Sequence, residues 1–142
     1  MSARRAPRLS ALVSTYASER YLLGCLESLR RQTVHDQLEI VVVDACSPER
    51  EGEMVRAFQR AHPELAITYV RTEVREASSA SFRRAIALAR GEFVTTANAD
   101  DRHAPEFAER MLAVLDQRPG VGLVYADTAI TNGDNETWQE HT

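Results

Sequence analysis

Leu38–Asp44 reads LEIVVVD, and this stretch decides the fold. Its near-continuous Ile/Val run suits a strand covered on both faces, as in a parallel sheet; a strand wet on one side would alternate apolar and polar residues. Upstream, Leu9–Thr15 (LSALVST) is a second short β-rich run, and Ser18 is placed to cap a helix reaching about Gln32, with Leu22, Cys25, Leu26 and Leu29 at helical spacing. Downstream, Glu51–Ala61 predicts a helix with Met54, Val55 and Phe58 on one face, stopped by Pro63. Leu65–Arg71 predicts a strand. Ser78–Arg90 predicts a helix with Phe82, Ile86 and Ala89 inward and Gly91 at its C-cap. Glu92–Ala97 is the next strand, Pro105 opens a helix to about Gln117 with Phe107, Met111 and Leu115 in line, and Val121–Ala126 (VGLVYA) is a fifth strand. The expected fold class is therefore α/β, a Rossmann-like, mainly parallel sheet with helices on both faces in the order β-α-β-α-β-α-β-α-β. Residues 1–8 read as a disordered tail and 9–127 as the domain. Residues 128–142 read as a polar tail or the start of a further half.

With 142 residues the chain is one domain or part of one, at roughly 100–200 residues per domain. Its 44% hydrophobic and 27% charged residues are globular composition. A net charge of −4 argues against a nucleic-acid binder held by a basic field. No apolar run approaches the ~20 residues of a membrane span. Cys25 and Cys46 form no CxxC pair and read as thiols in a reducing compartment. All 17 basic residues are Arg. Without a lysine the chain has no Walker A phosphate loop and no Schiff-base chemistry. GxGxxG and GxSxG are also missing.

In a parallel α/β sheet ligands bind outside the carboxyl ends of the strands. Those ends carry Ser14-Thr15-Tyr16, Asp44, Arg71 and Asn98-Ala99-Asp100-Asp101. An aromatic ring, carboxylates and an arginine at one edge suit a nucleoside, a diphosphate and a hard divalent cation such as Mg²⁺ or Mn²⁺. Each residue also has a plain structural reading. Asp44 would cap a loop, Asp100 and Asp101 would favour a helix N-terminus, Asn98 would make a turn, and Tyr16 would be a core aromatic. Arg71 reads as a solvated strand end. It is the joint placement on successive strand ends that points to a site.

These residues resemble the N-terminal half of family 2 glycosyltransferases of the GT-A fold, from about Leu9 to Asp127. Thr15-Tyr16 stands in the family's P-x-Y-N, with Ser14 and Ala17 replacing Pro and Asn. Tyr21-Leu22 through Gln32-Thr33 resembles YL…CLxSLxxQT. Glu39–Asp44 followed by Ala45-Cys46-Ser47 resembles EIIVVDDGS, Ala89–Val94 resembles AxGEYI, and Asn98-Ala99-Asp100-Asp101 stands at D-x-D-D. Pro105 and the run Pro119–Tyr125 fall in register. The resemblance implies transfer of a sugar from a nucleotide-diphosphate sugar to the hydroxyl of a glycan, lipid-linked or protein acceptor, with inversion and with Mg²⁺ or Mn²⁺. It implies that Asp44 binds the base, that Thr15 and Tyr16 line the base and ribose pocket, that Asp100 binds the metal, and that Asn98 lies near ribose or metal. Cytoplasmic residence, peripheral to the inner membrane face, and a role in bacterial polysaccharide or cell-envelope assembly are implied in the same way.

Asn98 replaces the first acid of the motif, and Arg83 stands where the family has an Asn on the third helix. Family domains run well past 200 residues, with the acceptor-binding half and the catalytic base after the D-x-D strand. The base is accordingly not identified; Asp127, at the end of the fifth strand, reads as an acidic contact and not as the base. An incomplete sheet edge predicts self-association or completion by a C-terminal half. The alternative reading is a truncated or degenerate module that binds a nucleotide or a partner without catalysis.

Overall fold

The computed structural model describes residues 5–131. Four strands, β1 (Leu9–Thr15), β2 (Leu38–Asp44), β3 (Ala66–Arg71) and β4 (Phe93–Thr96), form one parallel sheet in the order β3-β2-β1-β4. The helices are α1 (Glu19–Arg30), α2 (Glu51–Ala61), α3 (Ser78–Leu88) and α4 (Phe107–Gln117), with a short 3-10 turn at His35–Gln37.

β2 is buried at every position, as its Ile/Val run predicts. Side chains alternate between the two faces of the pleat. Ala11, Val13, Ile40 and Val42 meet α1 and α2 through Leu22, Leu26, Val55 and Phe58. Leu12, Val41 and Val43 meet α3 on the opposite face. α4 packs through Ala108 and Leu112 against Leu9 and Leu38, at the start of the strands. The chain steps outward from β1 to β2 to β3 and then returns to the other side of β1 for β4. The strand order therefore reverses between β1 and β4, and a crevice opens at their carboxyl ends.

Several expectations need correction. Among the described residues Val121–Ala126 forms no strand. Leu123 and Tyr125 are 76% and 86% exposed, and the segment passes an apolar groove beside the four-residue β4 without ladder hydrogen bonds. Strand formation depends on a pairing partner as much as on β-rich composition, and this short edge does not take one up. On α3 the buried residues are Ser81 and Ala85, whereas Ile86 is exposed. Phe82 and Ala89 face the sheet as expected, packed against the cluster of Leu12, Val41, Val43 and Ala85, so Ile86 alone departs from the expected inward face. α3 ends at Leu88, so Gly91 is not its C-cap. A side chain at Gly91 would come within 2.7 Å of the Ser10 backbone nitrogen, and close approach to β1 is what requires glycine there. Ser18 sits at the N-cap of α1, but its hydroxyl donates to the Tyr16 carbonyl instead of capping the helix. Arg8, placed in the tail by sequence, forms a two-pronged ion pair with Asp116 at 2.6 and 2.9 Å. The tail's residues 1–4 and the polar stretch 132–142 lie outside the described residues.

Candidate functional site

A cleft of about 580 Å³ occupies the crevice where the strand order reverses. Ser14 and Tyr16 enter it from the end of β1, Asn98 and Asp100 from beyond β4, and Arg75 and Glu76 from the loop before α3. Tyr16 is half-buried, and the Arg75 guanidinium covers its ring at 4.2 Å from the centroid. This is a cation–π contact that gives the cleft a flat, positively charged wall.

Asp44 lies behind this wall, 0% exposed at the end of β2. Its Oδ1 accepts the Ser47 backbone N–H at 2.7 Å, and its Oδ2 accepts the Tyr69 hydroxyl at 2.7 Å and Arg71 Nη1 at 2.9 Å. A carboxylate has about four acceptor positions, so three are filled. Burial first, and then the Asp44 carboxylate, push the Tyr69 hydroxyl up to about 12, which keeps it a hydrogen-bond donor at neutral pH. Arg71 also donates to the Ser47 carbonyl at 2.9 Å, which fixes its guanidinium over the β2–α2 turn while leaving it 44% exposed. Sequence reasoning missed Tyr69 and placed Arg71 at the site's edge only as a solvated strand end. Their signal was position alone, since β3 pairs with β2 in register and sets Arg71 directly beside Asp44.

Thr15 is buried, and its hydroxyl donates to Glu51 Oε1 at 3.4 Å, away from the cleft. Asn98 Nδ2 donates to Asp101 Oδ2 at 2.8 Å, which turns Asp101 toward the loop it begins. Asp100 is exposed at the lip and also lines a neighbouring cleft of about 380 Å³ with His103, Phe107 and Asp127. Arg83 is exposed on α3, outside the lining of the 580 Å³ cleft. Among the described residues no three His, Cys, Asp or Glu side chains gather to cage a metal ion. One exposed carboxylate at the lip is a hard oxygen ligand of the kind a divalent cation takes when phosphate oxygens and water complete its shell. The ligand chemistry therefore fits an ion shared with a diphosphate, and does not fit a cage built by protein alone.

The model of the family "Glycosyl transferase family 2" matches residues 10–142. The chain belongs to glycosyl transferase family 2. EpsH of Bacillus subtilis (strain 168) is 31% identical over 106 residues, covering 75% of this chain and 30% of its own. The fold of this family 2 chain is similar to that of residues 1–349 of TarS from S. aureus, solved in complex with UDP (TM-score 0.73, 28% identity, 79% of this chain and 33% of that one). It is equally similar to the mannosyltransferase PcManGT from Pyrobaculum calidifontis, solved with GDP-Man and Mn²⁺ (TM-score 0.73, 29% identity, 78% of this chain and 32% of PcManGT). The chain spans about a third of the length of EpsH, of PcManGT and of TarS 1–349. Its α/β architecture matches theirs. No helix among the described residues is long and apolar enough to cross a membrane.

Proposed function

We propose that the crevice between β1 and β4 binds a nucleotide-diphosphate sugar, from which the sugar passes to an acceptor hydroxyl with inversion. The observation carrying this reading is the convergence of Tyr16, Arg75, Asn98 and Asp100 on one cleft at the switch point of a family 2 chain. In this reading the nucleobase lies toward Tyr16 and the Asp44–Arg71 pair, with Arg71 presenting its exposed guanidinium edge and Asp44 holding that edge in place. The ribose crosses the β1 end, and the diphosphate reaches Asn98 and Asp100. Thr15 supports the pocket from behind, its hydroxyl committed to Glu51. Nucleotide complexes of two structural neighbours support this reading.

The acceptor oxygen forms a bond to the anomeric carbon as the bond from that carbon to the β-phosphate oxygen breaks. The nucleoside diphosphate leaves with the electron pair, and the hydroxyl proton passes to a base. Asp100 would hold a Mg²⁺ or Mn²⁺ ion, which when bound supplies Lewis-acid neutralisation of the leaving diphosphate. A glycan, a lipid-linked sugar or a protein hydroxyl suits the acceptor role. Replacement of the motif's first acid by Asn98, whose amide is bonded to Asp101, favours the second reading, nucleotide binding without turnover.

Thermal denaturation with UDP, GDP, TDP and CDP, each with and without Mn²⁺, tests the reading. A nucleotide at about 100 times its Kd stabilises by about 2.7 kcal/mol. One nucleotide should raise the midpoint in a Mn²⁺-dependent way, and Asp100→Ala should abolish the Mn²⁺ dependence. If all four nucleotides at millimolar concentration leave the midpoint unchanged, the reading is wrong. Hydrolysis of the matching nucleotide sugar then separates the two readings, since turnover excludes the binding-only module.

A further inference from the structure

We propose that Glu51 is a positioning residue for nucleotide binding, a buried carboxylate that sets the places of Tyr16 and of the Asp44–Ser47 turn without touching the ligand. The inference rests on the donor-cleft reading above and deepens it.

Glu51 opens α2 and is 0% exposed. Its Oε1 accepts three hydrogen bonds from separate places in the chain: the Ser47 hydroxyl at 2.8 Å, the Ser18 backbone N–H at 2.9 Å and the Thr15 hydroxyl at 3.4 Å. Its Oε2 is buried with no hydrogen-bond partner. A helix start needs only a short capping hydroxyl, and burying a carboxylate with one oxygen unmatched costs stability. What the larger side chain achieves is reach, since one oxygen ties the β1–α1 turn to the β2–α2 turn.

Those two turns carry the recognition groups. Ser47, while donating to Glu51, accepts the Ala17 backbone N–H at 3.0 Å, so Tyr16 is held on both sides, through Thr15 and through Ala17 and Ser18. The Ser47 N–H in turn donates to Asp44 Oδ1, and Asp44 holds Tyr69 and Arg71. A continuous hydrogen-bonded path thus runs from Glu51 to the Tyr16 turn and, through Ser47 and Asp44, to Tyr69 and Arg71. A charged acceptor makes bonds roughly twice as strong as a neutral one of the same shape. Glu51→Gln keeps the volume and one acceptor oxygen and removes that advantage.

The test uses the full chain, with UDP and GDP in the presence of Mn²⁺ as probes. Dissociation constants are measured by calorimetry. Two-dimensional NMR of the nucleotide-free protein follows the Tyr16 ring and the Ala17, Ser18 and Ser47 amides. Glu51→Gln should weaken the nucleotide that the wild type binds by about tenfold, the difference between a charge-assisted and a neutral acceptor network. It should also shift the Tyr16 and turn signals while β4 and α4 signals stay in place. Leu112→Ala, in the α4 cluster far from the cleft, should lower stability without changing affinity, which separates positioning from general destabilisation. If Glu51→Gln does not fold, Ser47→Ala breaks the same path from its other end and should weaken binding in the same direction. Wild-type affinity in the folded variant, or unmoved Tyr16 signals, overturns the proposal. Failure of the wild type to bind either probe, with TDP and CDP failing likewise, would instead overturn the donor-cleft reading on which it rests.

Discussion

Gly52 on α2 provides a sharp test of how tightly the Asp44 site is built. Replacing a helical glycine by alanine ordinarily stabilises by up to about 1 kcal/mol. Here a Cβ at position 52 would lie 2.6 Å from the Tyr69 hydroxyl oxygen and 3.3 Å from Cζ. Ordinary contact begins at 3.4 Å, so the hydroxyl must retreat by 3.4 − 2.6 = 0.8 Å. The ring is rigid and Arg56 stacks against it at 5.5 Å, so the hydroxyl cannot yield without shifting the ring. A shift of that size displaces the hydroxyl from the place in which it donates to Oδ2 at 2.7 Å. Loss of a hydrogen bond to a charged acceptor costs about 1.5–3 kcal/mol. The clash outweighs the helix propensity. Gly52→Ala should therefore destabilise by about 1 kcal/mol, a fall of about 3–4 °C in Tm for a chain of this size. The assay is urea and thermal denaturation of the wild type, Gly52→Ala, Tyr69→Phe and the double variant. Without the hydroxyl the sign should reverse, with Gly52→Ala stabilising the Tyr69→Phe protein. Stabilisation by Gly52→Ala in the wild-type background would refute the reasoning.

Other outcomes follow from the same geometry. Asp44→Asn should cost about 1–2 kcal/mol, because Tyr69 and Arg71 lose a charged partner while half-exposed Arg71 regains water; urea unfolding reads the loss. Burial alone would raise the Glu39 carboxyl, but the Ser10 hydroxyl and the Arg90 amide and guanidinium overcome it and hold it below its ordinary value of 4.5. A group lowered in the folded state contributes stability above its unfolded pKa and loses it as pH falls through the folded one. The wild type should therefore lose its advantage over Glu39→Gln as pH drops below about 4.5, measured as urea midpoints from pH 6 to about 3. Burial pushes the Cys25 thiol up to about 12, whereas Cys46 is partly exposed. Iodoacetamide at pH 8 should accordingly label Cys46 in the native protein and Cys25 only after unfolding; native labelling of Cys25 would contradict its packing.

The parallel sheet was legible because LEIVVVD and its neighbours are patterned locally. A strand buried on both faces has no choice but to be apolar throughout, and α2 could be bounded at Glu51 and Ala61 from periodicity and Pro63 alone. The Val121–Ala126 error has the opposite cause. That run has strand composition, but pairing is decided by a partner elsewhere in the chain, which local sequence does not encode. The site was half legible for a related reason. Tyr16, Asn98 and Asp100 could be placed together because topology alone brings β1 and β4 ends to one crevice. Arg71 read as a solvated strand end because its meaning depends on β2–β3 register, which sets it opposite Asp44. Glu51 entered the sequence reading only as the first residue of the second helix, and only the packing of two turns over α2 reveals a buried carboxylate.

The backbone at those turns carries a final argument. Among the described residues Ala17 (φ 49°) and Cys46 (φ 61°) are the non-glycine residues with positive φ. They are also the positions where the family motifs P-x-Y-N and DDGS place Asn and Gly, the residues that enter the left-handed region most readily. For other residues that region costs roughly 1–2 kcal/mol, so Ala and Cys would leave it if local preference governed. The bonds through Ser47 and Glu51 hold both turns in place against that preference. Ala17→Asn and Cys46→Gly should each stabilise by about 0.5 kcal/mol, the relief at Cys46 being partly offset by the entropy of glycine. Once the turns hold their shape unaided, less depends on Glu51. The stability lost on Glu51→Gln should be smaller in the Ala17→Asn/Cys46→Gly background than in the wild type, by about 0.5 kcal/mol or more in a double-mutant cycle. An unchanged cost would mean that Glu51 does not hold these turns, and that their strain is met by packing elsewhere.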